Sequence, residues 1–216
     1  PLIFCFRGFR MFAGKKAGLW LPYIAIAVAV AALNGRTVGF DFIPSWDDKE
    51  YVVENILIQS LSMGSLKRVF TETYFSNYAP LHLLSYQIDF ALWGLNPAGY
   101  HLTNVALHFL NACLLFMLLS RLLNDRAVAL MAALLFAVHP INVENVAWVS
   151  ERKTLLTAFF SFLAILSYLS FRDGRGWLHY ALSFVFFLLA LLSKPLTVTL
   201  PLALIAYELF IKKERR

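Results

Sequence analysis

The sequence predicts an all-α polytopic membrane protein with about six transmembrane helices, both termini inside, and a long outer loop that carries amphipathic helices. Three observations carry this expectation. Of 216 residues, 60% are hydrophobic, 16% aromatic and only 15% charged, whereas a soluble domain is usually about half apolar and about a quarter charged. The apolar residues lie in runs close to the length of a bilayer crossing. The connections between runs alternate in charge. Residues 1–17, 121–126, 172–176 and 212–216 are the basic ones, and the positive-inside rule makes them cytoplasmic.

Taken in order, the basic segment 1–17 carries Arg7, Arg10, Lys15 and Lys16, and the first span follows at about 18–33. An outer loop, 34–97, holds Asp41, Asp47, Asp48, Glu50, Glu54, Glu72 and Asp89. Within it the spacing of Val52, Val53, Ile56, Leu57 and Leu61 predicts an amphipathic helix over 51–61. Residues 81–93 read as a second such segment, or as one that dips into the membrane. Asn96-Pro97 marks the start of the second span, about 98–123. The third, about 127–139, stops at His139-Pro140. An amphipathic outer stretch, 141–153, precedes the fourth span at about 154–171. The tight turn 172–176 leads to the fifth, 177–192, and Ser193-Lys194-Pro195 reverses the chain into the sixth, 196–211. A basic tail, 212–216, closes the sequence.

The net charge of +6 does not indicate nucleic acid, because the basic residues sit in short clusters between apolar runs and not on one soluble face. Cys5 and Cys113 are poorly placed to bridge, and no Cys/His metal spacing occurs. The start at Pro1 and the basic end suggest a piece of a longer protein. No cleavable leader is evident.

Four features could carry chemistry. Trp46-Asp47-Asp48 places two carboxylates just outside the first span. They fit a general base with an assisting acid, or a pair associated with a divalent cation. They also fit a solvated turn in which Asp48 caps the next helix. His101, Asn104, His108 and Asn111 recur at helical spacing on one stripe of the second span. They fit a cavity wall facing the bundle interior, or interhelical hydrogen bonds. In 139–153, the spacing puts Glu144, Trp148, Glu151 and Arg152 near one face. Arg152, Lys153 and Lys194 could hold a lipid-linked phosphate, or snorkel to headgroups. Glu208 reads as an interfacial residue paired with Lys212 at i+4.

Five stretches together resemble a known family: Trp46-Asp47-Asp48, Asn77-Tyr78-Ala79-Pro80-Leu81, residues 92–108 (LWGLNPAGYHLTNVALH), residues 139–153 (HPINVENVAWVSERK) and residues 193–201 (SKPLTVTLP). They resemble the amino-terminal membrane part of the transmembrane and tetratricopeptide-repeat proteins and their bacterial relatives. These look like C-superfamily glycosyltransferases (GT-C). The resemblance implies transfer of a sugar such as mannose from a polyprenyl- or dolichyl-phosphate donor to a protein hydroxyl. For a bacterial member the enzyme would sit in the inner membrane, with its active face periplasmic.

Carried over residue by residue, the resemblance makes Asp47 the base and Asp48 its assistant. It matches Lys194 to the family's basic turn before the sixth span and Glu144 and Arg152 to a second outer segment, and gives Glu151 and Lys153 no animal counterpart; the position of Arg152, Lys153 and Lys194 at the outer boundary is what makes them donor-phosphate candidates. By placement, Trp46, Tyr78, His101, Asn104, His108 and Glu144 are the candidates to line the cavity and the acceptor side. No resident metal is implied, though a divalent cation is compatible with the carboxylate pair. Ala79 stands where animal members have Arg, so that loop offers the donor no guanidinium. The family's later spans and repeats are absent. Two other readings remain: a non-catalytic membrane anchor for a tetratricopeptide-repeat domain, and a transporter. A transporter predicts spans interrupted at mid-bilayer, and only Pro201 interrupts a span in this reading.

Overall fold

A computed structural model describes residues 17–123 and 125–211. The terminal basic segments fall outside the described residues except for Ala17, as do Asn124 and Lys212. Among the described residues the regular structure is helical, with one isolated antiparallel bridge between Tyr74 and Asn77. The α-helices are α1 (Ala17–Asn34), α2 (Met63–Thr71), α3 (Pro80–Trp93), α4 (Pro97–Leu123), α5 (Arg126–Val138), α6 (Val143–Ala147), α7 (Arg152–Arg172), α8 (Trp177–Ser193) and α9 (Leu200–Ala206). This is an all-α membrane protein.

Among the described residues, three helical segments are long and apolar enough to cross a bilayer: Leu19–Gly39, Pro97–Leu123 and Val149–Arg172. A fourth is reached if α5 and Pro140–Ala147 count as one span bent by 51°. The bend follows from His139-Pro140: the His139 ring accepts from Ile141 N–H at 3.2 Å, and proline cannot donate to the turn before it. Against about six expected spans, Trp177–Ser193 and Pro195–Phe210 are shorter apolar helices. At 1.5 Å per residue each reaches about 25 Å, less than the ~30 Å hydrocarbon core.

Local chemistry sets the helix ends. Asp125 caps α5 by accepting from Ala127 N (2.9 Å) and Val128 N (3.2 Å). Gly94, at φ +60°, ends α3. A Cβ at Gly99 would lie 2.2 Å from the Trp93 ring, so only glycine lets α3 and α4 meet there.

α1, α4 and α5 share one core. Ala129, Ala133 and Ala137 form a small-residue stripe against Ile26, Val30, Ala112, Cys113 and Phe116, and small side chains let helix backbones approach. The opposite faces are apolar and exposed: Trp20, Ile24 and Val28 on α1, Met131 and Leu135 on α5, Phe184 and Leu188 on α8. In a membrane these faces meet lipid.

The layer formed by the predicted outer loop has its own core of Tyr51, Val52, Ile58, Val69, Leu83, Tyr86, Tyr100 and Val149. It departs from the sequence expectation in two places. The predicted helix over 51–61 is two short turns, Lys49–Val53 and Ile56–Gln59. Asn55 breaks it, donating to Tyr51 O (3.1 Å) and accepting from Leu57 N (2.9 Å), so its side chain competes with the helical ladder. Residues 140–151 likewise form three short turns with Trp148 extended between them. Glu144 is exposed and Arg152 buried, so the expected common face is absent.

Candidate active site

The turn at Pro44–Asp47 delivers two neighbouring carboxylates into different environments. Asp48 is fully buried. Its Oδ1 accepts from Ser150 N (2.9 Å) and Ser150 Oγ (2.5 Å), and its Oδ2 accepts from Ile43 N (3.0 Å). It stands at the cap position of the next turn, yet its side chain makes no capping bond. Instead it pins the loop to the segment before α7, 102 residues away. Asp47 is half-buried, and only its backbone is engaged, accepting from Tyr51 N at 2.8 Å. Its carboxylate makes no hydrogen bond or ion pair among the described residues. Trp46 is exposed and meets Trp148 edge-on at 4.9 Å.

Arg152 lies beneath this surface with no exposure. Its Nη1 sits 2.6 Å from Asp89 Oδ2, its Nε donates to Asn104 Oδ1 (2.7 Å) and its Nη2 to Tyr100 O (2.9 Å). Its guanidinium is 4.6 Å from the Tyr86 ring. Thr103 donates to Asp89 Oδ1 at 2.9 Å. Arg152 therefore joins α3, α4 and α7, and its donors are committed to protein atoms. Asp89, one acid among several in the predicted outer loop, is its counter-ion. The sequence reading leaves it without a role, and its one signal there is that it is a lone carboxylate inside the apolar run 81–93.

The polar stripe of α4 is buried along its length. Asn104 reaches Val146 O (3.3 Å), His108 contacts Ala137 O (3.0 Å) and Asn111 donates to Leu155 O (2.9 Å). These three are bonds between helices. His101 faces Phe40, with ring centroids 6.2 Å apart. Tyr78 is exposed and donates to Phe70 O (2.9 Å), and Glu144 is exposed on the first turn of α6.

Lys153 and Lys194 converge on Glu151. Lys153 Nζ is 3.1 Å from Oε1 and Lys194 Nζ 3.5 Å from Oε2. Thr154 donates to Oε2 (2.7 Å) and accepts from Lys194 (2.9 Å). Lys153 also lies 5.7 Å from the Tyr51 ring and 6.0 Å from the Trp148 ring. Trp46, Trp148, Tyr51 and the two lysines thus form one connected patch, which Asp47 adjoins through its chain neighbour Trp46 and its backbone bond to Tyr51. Glu151 is the residue that the sequence reading left without a role.

Behind Tyr51 lies His82, which is fully buried, with ring centroids 5.2 Å apart. Its Nε2 is 2.7 Å from Tyr86 Oη, which also lies 2.7 Å from Val149 O. A carbonyl can only accept, so Tyr86 donates to Val149 and His82 Nε2–H donates to Tyr86. That leaves Nδ1 as a bare acceptor without a partner. Burial, with Arg152, Lys153 and Lys194 adding to it, holds the ring well below the ordinary histidine range.

Two further arrangements lie elsewhere. A cavity of about 440 Å³ between α7, α8 and α9 is lined by Tyr168, Tyr180, Phe184, Phe187, Leu204 and others, and by none of the predicted site residues. Glu208, at its edge, accepts from Tyr168 (3.0 Å) and pairs with Arg172 (2.9 Å). The partner expected from spacing, Lys212, lies outside the described residues. Among the described residues no three His, Cys, Asp or Glu side chains converge as around a metal ion.

The family described as dolichyl-phosphate-mannose-protein mannosyltransferase matches residues 77–216. Among curated relatives, protein O-mannosyl-transferase TMTC3 of Mus musculus is 29% identical over 93% of this chain and 23% of its own length. Protein O-mannosyl-transferase TMTC4 of Homo sapiens is 33% identical over 72% of this chain and 24% of its own. Protein O-mannosyl-transferase Tmtc1 of Drosophila melanogaster is 37% identical over 57% and 14%. The chain thus spans about a quarter or less of the length of these relatives. No solved structure matches it. With the family match covering well over half of its length, the chain belongs to the dolichyl-phosphate-mannose-protein mannosyltransferase family.

Proposed function

We propose that this chain is the membrane part of a glycosyltransferase that moves mannose from a polyprenyl- or dolichyl-phosphate donor to a protein hydroxyl on the outer face of the membrane. In a bacterial cell that face would be the periplasmic side of the inner membrane. The observation that carries the reading is the division of labour between Asp47 and Asp48. One carboxylate holds the loop in place, and its neighbour is left free beside an aromatic patch that contains two lysines.

A lipid-linked donor arrives through the bilayer and the acceptor arrives from water, so the reaction belongs where the outer turn meets the helix ends. In this scheme the acceptor oxygen attacks the anomeric carbon as the bond from that carbon to the phosphate oxygen breaks. The hydroxyl proton passes to Asp47, and Lys153 and Lys194 receive the charge that develops on the leaving phosphate. A single displacement inverts the anomeric centre. The two ammonium groups can supply positive charge where a divalent cation would otherwise serve. Arg152 holds α3, α4 and α7 in register and does not reach the donor, since its guanidinium is occupied.

The test is transfer from a polyprenyl-phosphate mannose to an acceptor peptide by the full-length protein. Asp47→Asn should lower the rate by about 100-fold or more, in line with loss of a general base, and leave the thermal unfolding midpoint in place. Equal transfer by wild type and Asp47→Asn would overturn the assignment of the base. Absence of transfer by both would favour a membrane anchor.

A further inference from the structure

We propose that Glu151 is a built-in stand-in for the donor phosphate: it occupies the Lys153–Lys194 anion site when no substrate is bound, gives way to the phosphodiester and returns to displace the phosphate product. The inference rests on the reading that this patch handles a lipid-linked sugar phosphate.

The geometry is that of an anion site already filled. Two ammonium groups from different elements, one at the start of α7 and one after α8, approach opposite oxygens of a single carboxylate at 3.1 and 3.5 Å. The Thr154 hydroxyl completes the set at 2.7 Å. A phosphate group presents oxygens in the same way and would satisfy the same three donors. Burial is graded across the site. The Glu151 and Lys153 side chains are 14% and 13% exposed, and Lys194 is 33% exposed, so the site opens on the Lys194 side. Arg152, although adjacent in sequence, contributes nothing to this carboxylate, since its own counter-ion is Asp89.

One buried polar atom beside Lys153 has no partner: Trp148 Nε1, on a ring 6.0 Å from the ammonium. Buried polar groups are ordinarily satisfied. A donor left open next to a cation pair suits a hydroxyl of a sugar joined to the phosphate. A carboxylate placed only to neutralise two lysines gives no reason for it.

Charge explains why such a device would be useful. The donor is a phosphodiester with one negative charge. Once the sugar has left, the product is a phosphomonoester of about −1.5 to −2 at neutral pH. Two lysines alone would hold the product more tightly than the donor, and the enzyme would stall after one turnover. A tethered carboxylate competes with both ligands and shortens the residence of the product.

The experiment measures binding and turnover in the full-length protein in detergent, with farnesyl phosphate as the probe and farnesol as its uncharged control. Glu151→Gln should bind farnesyl phosphate about tenfold more tightly, the scale of one competing charge-assisted contact. Farnesol binding should not change. Glu151→Asp, which keeps the charge but cannot span both ammonium groups, should fall between. Adding Lys153→Gln or Lys194→Gln to Glu151→Gln should abolish the gain. In steady state Glu151→Gln should show a lower donor KM and stronger inhibition by farnesyl phosphate.

Unchanged or weaker farnesyl phosphate binding in Glu151→Gln and Glu151→Asp, with unfolding midpoints intact, would overturn the proposal and assign Glu151 a structural role. Tighter binding in a protein that transfers no sugar would refute the glycosyltransferase reading and leave the anion site standing. Transfer by the wild type without tighter binding in the variants would refute the stand-in alone.

Discussion

In the layer formed by the predicted outer loop and the segment before α7, Asp48, Gln87, Asp89, Asn104 and Arg152 are all buried, and their hydrogen bonds cross from 5 to 102 residues of chain. In the wall formed by α7, α8 and α9, helices adjacent in sequence pack apolar faces together. Among the described residues, Ser183 donates across it to Ala164 O at 2.9 Å, and at its end Glu208 accepts from Tyr168 (3.0 Å) and pairs with Arg172 (2.9 Å). The wall also holds a half-open cleft of about 440 Å³ between α7, α8 and α9. A network of buried polar groups specifies one arrangement, because losing any member leaves others unpaired in a medium that cannot solvate them. Apolar packing is less particular, and a lipid-facing wall can shift without stranding a charge. In the proposed scheme, the part that holds the reacting groups in place is thus the part built from interdependent polar contacts.

The contrast can be tested by removing one element at a time. The largest effect is expected for Arg152→Met, which strands Asp89 without its cation and should cost about 3–5 kcal/mol. Thermal unfolding in detergent would show it. Adding Asp89→Leu should recover much of the loss, since an apolar pair leaves no buried charge; failure to recover would mean that Asn104 and Tyr100 depend on the guanidinium as much as Asp89 does.

Asp48→Asn should come next, at about 1–3 kcal/mol. The amide can still accept from Ser150, but it turns a donor toward Ile43 N–H or the Ser150 donors. Asp47→Asn, one residue away, should leave the unfolding midpoint unchanged. Equal shifts from the two variants would erase the distinction drawn between them.

A smaller effect is expected from pH. The folded-state pKa of His82 lies well below its ordinary value because of burial, so the unfolded chain binds the extra proton first. Stability from this group is complete above about pH 6.5 and is lost as the pH falls from there toward the folded-state pKa, by at most about 1.4 kcal/mol per unit. Comparing unfolding midpoints at neutral and mildly acidic pH, in wild type and His82→Gln, isolates it: the variant should lack that part of the slope.

The smallest effect is expected in the wall. The Glu208 and Arg172 side chains are 26% and 32% exposed, and Glu208→Gln should change stability by less than about 1 kcal/mol. A loss as large as that of Asp48→Asn would show that the wall also depends on its polar contact.

Much of the helical layout was legible in the sequence because its causes are local. Apolar run length, Pro97 at a helix start and His139-Pro140 as a break all act within a few residues. The helices cover the predicted apolar segments within one or two residues at most ends, as in α4 at 97–123 against an expected 98–123. The outer loop was less legible. Periodicity predicted one helix over 51–61, but the Asn55 side chain bonds its own backbone and divides it. In 139–153, helical spacing grouped Glu144 with Arg152, and the extended residue Trp148 separates them.

Hydropathy and turn chemistry alone therefore determined that this is an all-helical membrane protein with a carboxylate pair on a turn beyond its first apolar helix. They could not say which carboxylate is free. That depends on Ser150 arriving beside Asp48 from the far end of the loop. Nor could they tell that Arg152 is buried against Asp89 while its neighbours Glu151 and Lys153 face a different site. Adjacent residues look alike to any local pattern. They diverge only when chain segments tens of residues apart meet and each side chain finds, or lacks, a partner in a place that water does not reach.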